Sequence, residues 1–397
     1  MKEQLKMIAI AFAALSAVAA FAGATRESSH AWLDVDTKAY AENVREFRKI
    51  IGKDVGICAV MKADAYGSDI SILAPVAMRE GVEAIGIASN EEAAKARACG
   101  FTGRVVRVRT APAGEIRAGI PSGIEELVGS LAFAREIDAI AAEAGTRIKF
   151  HFALNAGGMD RNGLDMTLPG ALEEAVAICR LPNLEIVGMM THYPIEDRAD
   201  VLPGLARFNA QADAIVKAAG LDRRKLTFHT SNSYAALNIP EARLDMVRPG
   251  SVLYQGGCYS GFPQFKTVFS FKTRVASVYP YPKGSTICYD RTCTLERDSR
   301  LANIPVGYSD GYLRAFGNKG RVLVRGHSAK VVGVITMNTF MVDVTDFPDV
   351  KAGDEVVLFG AQGNDEITDG EIEKVSGMPF YELQVLWGAL NPRFALR

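Results

Sequence analysis

Between Val55 and Tyr254 the chain alternates short, β-branched apolar runs with amphipathic stretches of helical spacing. The runs are VGICAVMK, EAIGIAS, RVVRVR, IEELVGS, RIKFHFALN, LEIVGMMTHY, KLTFHTSN and LDMVRPGSVLY. They are nearly continuous in apolar residues, which is how a strand reads when both faces of its sheet are covered. Two of the intervening helices show their ends: NEEAAKARACG, expected to be capped by Asn90, and LAFAREIDAIAAEAG, closed by Gly145. Eight strand-helix units in series predict an α/β chain whose main body is a (β/α)8 TIM barrel.

After Gly257 the texture changes. FKTRVASVYPYP, RLANIPVGYS, RVLVRG, AKVVGVITM and EVVLFG read as strands separated by glycine turns, with no long helix between them. This predicts a C-terminal, mostly β domain over 258–397, with the barrel over 25–257. A strand, HAWLDVD, and a helix, TKAYAENVREFRKII, precede the barrel.

The first residues read differently again. Lys2 and Lys6 precede an apolar run from Met7 to Ala22, followed by small residues and then Thr25-Arg26-Glu27-Ser28-Ser29. That is the layout of a secretory signal peptide over 1–24, cut after Ala22 or Ala24. The run is shorter than the ~20 residues a membrane span needs, which disfavours the competing reading as an uncleaved anchor. Export in a bacterial context places the mature chain in the periplasm. It also permits disulfides, yet the six cysteines form no CxxC pair and no zinc spacing. No bridge and no metal site is assigned from them, and Cys58 and Cys179 read as buried thiols.

With 397 residues and 48% apolar composition the chain has enough material for about two or three domains. A net charge of −1 gives no electrostatic case for nucleic acid or an anionic membrane as partner.

The candidate chemistry starts at Ala59-Val60-Met61-Lys62-Ala63-Asp64-Ala65-Tyr66-Gly67, where an apolar strand runs into a lysine with a tyrosine and a glycine at fixed offsets. Partial desolvation by Val60 and Met61 lowers the amine pKa toward the range in which lysine forms a Schiff base. A lone lysine of this kind more often snorkels at a strand end. Four further strings change that reading: HFALNAGGMDRNG (151–163), MTHY (190–193), SNS with VRPG (231–233 and 247–250), and CYDRT with PVGYSDGYLR (288–292 and 305–314).

In that order, and over nearly all of the chain beyond the leader, these strings resemble the alanine racemase family of fold-type III enzymes. The resemblance implies pyridoxal 5′-phosphate as cofactor, anchored by Lys62, with Arg248 at its ring nitrogen and His192 behind the arginine. It gives Tyr66, Asn232, Ser233, the Gly250-Ser251 backbone and Tyr381 to cofactor binding, largely at the phosphate. Arg161 is assigned to both cofactor and substrate, and Met337 to substrate. It also places the strand at about 30–36 in the β domain. Every matched barrel motif falls at the C-terminal end of a strand, where TIM-barrel sites are built.

An arginine cannot give up its proton, so Arg248 would leave the ring nitrogen unprotonated and the cofactor a weaker electron sink, which disfavours transamination. Racemisation requires a proton to leave one face of Cα and another to arrive on the opposite face. Lys62 serves one face, and the resemblance gives Tyr289 to the other, contributed by the partner in a head-to-tail homodimer with shared active sites.

Departures from the family pattern bear on substrate. Where typical members read KxDTGMxRxG, this chain has Leu154 for the lysine and Ala156 for the aspartate, so Arg161 needs another partner, a bound anion or Asn155. The family's MDQ appears as Met337-Asn338-Thr339. These changes look like the exported broad-specificity amino-acid racemases, whose free amino-acid substrates would include lysine, arginine, alanine and methionine. A strict alanine racemase is the alternative. A non-catalytic cofactor-binding barrel would lack the β domain and Tyr289, and a decarboxylase fits the CYDRT and GYSDGY pair less well.

Overall fold

The computed structural model describes residues 23–396, so nearly all of the leader expected over 1–24 lies outside the described residues. The chain divides into two compact units, one formed by 39–65 and 73–266, the other by 23–38, 66–72 and 267–396.

Strand β1 (Ala31–Asp36) belongs to the second unit, and the chain then enters the first through the helix Thr37–Ile51. The eight apolar runs become β2 (Gly56–Val60), β3 (Ala84–Ile87), β4 (Arg104–Arg107), β5 (Ile124–Val128), β6 (Ile148–Ala153), β7 (Leu184–Met190), β8 (Thr227–His229) and β9 (Met246–Val247). All pair in parallel, in the order β8-β7-β6-β5-β4-β3-β2-β9. The two ends of that order are drawn together: Asp245 N donates to Phe228 O at 3.1 Å, Phe228 N to Asp245 Oδ2 at 2.7 Å, and Arg248 N to Ser231 O at 2.9 Å. The result is a near-closed TIM-like barrel. Apolar side chains occupy both sides of the barrel wall: Cys58, Ala84, Val106 and Met246 pack together on one. On the other, Phe150 and Phe152 join Ile137, Ile178 and Phe208 of the surrounding helices.

The helix Asn90–Ala98 is capped by Ser89, not by Asn90. Ser89 Oγ accepts from Glu92 N and the Glu92 carboxylate accepts from Ser89 N, a reciprocal capping box. Asn90 is occupied elsewhere: its Nδ2 donates to Glu115 O and its Oδ1 accepts from Arg107. Gly145, at φ 61°, does follow the end of Leu131–Glu143.

The second unit holds β10 (Phe269–Arg274), β11 (Ser277–Tyr281), β12 (Thr286–Ile287), β13 (Cys293–Thr294), β14 (Ser299–Ile304), β15 (Arg321–Val324), β16 (His327–Val332), β17 (Phe340–Asp343), β18 (Glu355–Gln362), β19 (Asp365–Ile367) and β20 (Arg393–Leu396). The main sheet runs β11-β14-β17-β16-β15-β18-β10-β1-β20, and β1 pairs antiparallel with β10 and parallel with β20. Two helices, Asp369–Ser376 and Phe380–Leu390, lie outside the sequence expectation. Phe380, Leu383 and Trp387 of the second are buried, and Trp387 Nε1 donates to Gly311 O at 2.9 Å. This helix also passes extremely close to Gly67. A Cβ on Gly388 would fall 2.1 Å from Gly67 O, and one on Gly67 2.6 Å from Gln384 O. No helix among the described residues is long and apolar enough to cross a membrane.

Candidate active site

Lys62 follows the C-terminal end of β2 and opens a backbone turn that L-residues rarely adopt. Ala63, Asp64, Ala65 and Tyr66 have φ of 54°, 54°, 58° and 54°, consecutively left-handed. Each such residue costs roughly 1–2 kcal/mol, so the surroundings must impose the turn. Within the first unit, Ala65 N donates to Met61 O at 2.7 Å, Asp64 N donates to Glu92 Oε1 at 3.1 Å, and the Asp64 carboxylate pairs with Lys95 Nζ at 2.8 Å. The capping glutamate of one helix thus also pins the lysine turn. The Lys62 amine enters no hydrogen bond or ion pair among the described residues. Burial holds its pKa below the ordinary lysine value, and Arg161 lowers it further against a smaller opposing effect of Glu92.

Arg248 immediately follows β9 and is buried. Nη1 donates to His229 Nδ1 at 2.9 Å and His229 O at 2.7 Å, while Nη2 donates to Thr191 O at 2.8 Å, Thr230 O at 3.1 Å and His192 Nδ1 at 3.2 Å. Nε alone of its three nitrogens has no protein acceptor among the described residues. Burial lowers the guanidinium pKa to about 10, which still leaves it charged at neutral pH. His192 is depressed to about 3, first by burial and then by Arg248, Arg161 and Lys62, so its ring is neutral. The expected Lys62, Arg161, His192 and Arg248 therefore share one electrostatic environment. The sequence reading missed His229, whose ring lies deeper and closer to Arg248 than that of His192.

Arg161 is exposed on the loop after β6, and its Nε reaches Asn162 Oδ1 at 3.5 Å. Asn155 is not its partner: Asn155 Oδ1, the atom that could accept from a guanidinium, accepts from Asp160 N at 3.1 Å, and Nδ2 donates to Asp160 Oδ1 at 2.6 Å. Leu154 and Ala156, in place of the family's charged pair, are buried.

Asn232 caps the short helix Ser233–Asn238 by accepting from Ala235 N at 2.9 Å. Ser233 Oγ accepts from Gly250 N at 2.9 Å and stands 3.5 Å from Ser251 Oγ. Hydroxyls and backbone amides of this kind can satisfy phosphate oxygens without adding a titrating charge. Tyr259 joins them, its hydroxyl 3.0 Å from Ser251 Oγ, although its loop sequence carries no signal that marked it.

The remaining candidates belong to the second unit. Tyr66 is the last non-glycine residue of the left-handed turn, which Gly67 closes at φ 80°. Tyr289 lies 72% exposed on a single turn, Tyr289–Arg291, where Cys288, Asp290 and Arg291 all have positive φ. Met337 and Tyr381 are also exposed, and Asn338 Nδ2 donates to Ser309 Oγ at 2.9 Å. The six cysteines are free, with burial pushing Cys58 and Cys179 up to about 12.

An unpaired, desolvated amine, an arginine with one nitrogen unspent and a neutral cradle of hydroxyls and amides fit the aldehyde, ring nitrogen and phosphate of pyridoxal phosphate.

Comparison with known proteins identifies the family. The alanine racemase N-terminal domain matches residues 35–257 and the alanine racemase C-terminal domain residues 268–395. A protein of Pseudomonas taetrolens named a broad specificity amino-acid racemase is 50% identical over 96% of this chain and 94% of its own. A lysine racemase of Proteus mirabilis is 45% identical over 92% of this chain and 89% of its own. The crystal structure of alanine racemase from Bacillus anthracis with bound L-Ala-P superposes with a TM-score of 0.84 at 27% identity, covering 93% of this chain and 95% of that one. A pyridoxal-phosphate-dependent fold, two matched domains and half-identical relatives over nearly the full length lead to one conclusion: this chain belongs to the alanine racemase family.

Proposed function

We propose that the protein racemises free amino acids of varied side chain, interconverting L and D forms with pyridoxal phosphate, in the periplasm and as a homodimer with shared active sites. The observation that carries this reading is the Lys62 amine, accessible, without an ion pair among the described residues, and held below its ordinary pKa by partial burial and Arg161. Lys62 would hold the cofactor, Ser233 and the Gly250 and Ser251 region would receive its phosphate, and Arg248 would offer its unspent Nε to the ring nitrogen. When bound, the cofactor draws electron density from Cα and makes its proton labile. Lys62 Nζ then takes or gives that proton on one face, and the Tyr289 hydroxyl of the partner subunit does so on the other. His192, kept neutral, presents a ring nitrogen to Arg248 without competing for its charge.

Breadth of substrate is supported by Leu154, Ala156 and Asn338, which leave fewer fixed charges than the family pattern, and by the names of the half-identical relatives. A site relieved of such groups admits longer side chains, whereas one built around a methyl excludes them. The leader motif supports export. Loss of optical rotation, measured for pure L-lysine, L-arginine, L-alanine and L-methionine, tests the proposal. Turnover of alanine alone would leave a strict alanine racemase, and no turnover of any would refute racemisation.

A further inference from the structure

A chain of buried polar groups runs through the barrel from Arg248 to its far end. His229 Nε2 lies 2.8 Å from His151 Nδ1, and His151 Nε2 lies 2.9 Å from Glu125 Oε2. The two imidazoles meet nearly edge-on, 89° apart with centroids at 4.6 Å, and both residues are at most 1% exposed. Glu125 is the second residue of β5, at the end of the barrel remote from Lys62. There its carboxylate is paired by Arg104 Nε and Nη2 at 3.0 and 2.9 Å. Arg104 Nη2 also passes 3.4 Å from His151 Nε2, a longer approach than its bond to the carboxylate.

The backbone is built to admit this chain. Strand pairing slips between Phe150 and His151, which face Ile186 and Gly188, and a Cβ on Gly188 would sit 2.4 Å from His151 Nδ1. Bulges of this kind re-aim side chains beside active sites.

Donor and acceptor roles follow from the two ends. Arginine only donates and an ionised carboxylate only accepts, so every bond between them must point the same way. His151 carries its proton on Nε2 and accepts at Nδ1; His229 does likewise, leaving Nδ1 as the acceptor for Arg248 Nη1. Burial lowers the pKa of both histidines, consistent with neutral rings.

We infer that Glu125 is a positioning residue for Arg248, acting through His151 and His229, whose tautomers it fixes. Without the carboxylate, either ring is free to move its proton to Nδ1. His229 would then oppose an N–H to the guanidinium, and Arg248 would lose the partner that orients it. The catalytic consequence rests on the proposed contact of Arg248 with the cofactor ring, but the tautomers do not.

The test exploits the small number of histidines, five in the chain. Nitrogen NMR of the cofactor-loaded enzyme with 15N-labelled histidine should show both buried rings protonated at Nε2 and bare at Nδ1. A ring protonated at Nδ1, or on both nitrogens, would overturn the inference whatever reaction the enzyme performs. In Glu125→Leu the Nε2 pattern should break and kcat fall about 10- to 100-fold, the range typical when the partner orienting a functional histidine is removed, with KM changing much less. Should that variant not fold, His151→Leu cuts the same chain and must lower kcat similarly; wild-type kcat in either folded variant would refute the role. Racemisation by the wild type is assayed alongside, so an error about function is recognised separately from an error about the relay.

Discussion

The His192 ring nitrogen Nδ1 stands 3.2 Å from Arg248 Nη2, and burial beside this cation keeps the imidazole neutral down to about pH 3. His151 and His229 are shifted in the same direction. An unfolded histidine protonates near 6.5, so below that pH the unfolded chain binds protons that the folded one refuses. The stability is fully present above pH 6.5 and is lost as pH falls toward 3. For His192 the loss is up to about 1.4 kcal/mol per pH unit within that window, and His151 and His229 act in the same direction. Thermal melts between pH 7.5 and 4.5 should show a falling Tm, and a His192→Gln variant a shallower fall. A flat profile would mean that the rings are charged in the folded protein.

Purified enzyme should be yellow, with a cofactor absorbance that disappears on borohydride reduction and leaves the label on Lys62. Lys62→Ala should retain no reducible absorbance at matched cofactor occupancy, read by spectroscopy and peptide mass. Label found on another lysine would displace Lys62 from its assigned role.

Tyr289→Phe should still take up cofactor yet lose roughly 10²–10⁴ in racemisation rate, the usual effect of removing a general acid or base. Exchange of the Cα proton for deuterium, followed separately from the L and D enantiomers, should suffer more in one direction. A small and equal loss in both would show that this exposed phenol does not transfer the proton.

Mixing inactive Lys62→Ala with inactive Tyr289→Phe should restore part of the activity once subunits exchange, because one of the two sites in the heterodimer then has both wild-type groups. Exchange demonstrated by mass, without recovery of turnover, would place both residues in a single subunit's site.

The barrel was legible because buried parallel strands are apolar on both faces, so VGICAVMK or LEIVGMMTHY needs no partner to be recognised. The Lys62, Arg161, His192 and Arg248 motifs were legible as strings, each at a strand's C-terminal end. The helix start at Ser89 was misread because serine and asparagine are both good caps; the glutamate three residues after Ser89 was the deciding signal. Asp369–Ser376 and Phe380–Leu390 were missed, since Gly377 and Pro379 split them into segments too short to show a period. His229 and His151 escaped notice because a histidine inside an apolar strand reads as a core residue. Only the fold reveals that β6 and β8 bring the two rings together.

The pinch between Gly67 and Gly388 makes two distant codons interdependent. Gly67 ends the strained turn that begins at Lys62, so a methyl gained at position 388 would press on backbone five residues from the lysine proposed to hold the cofactor. Such a missense allele would behave as a defect in cofactor retention, although residue 388 is more than three hundred positions from Lys62. By mass action, excess pyridoxal phosphate should rescue it where the same supplement could not rescue Lys62→Ala. Natural variation at 388 should therefore be judged by its dependence on vitamin supply, and not by its distance along the chain from the reacting groups.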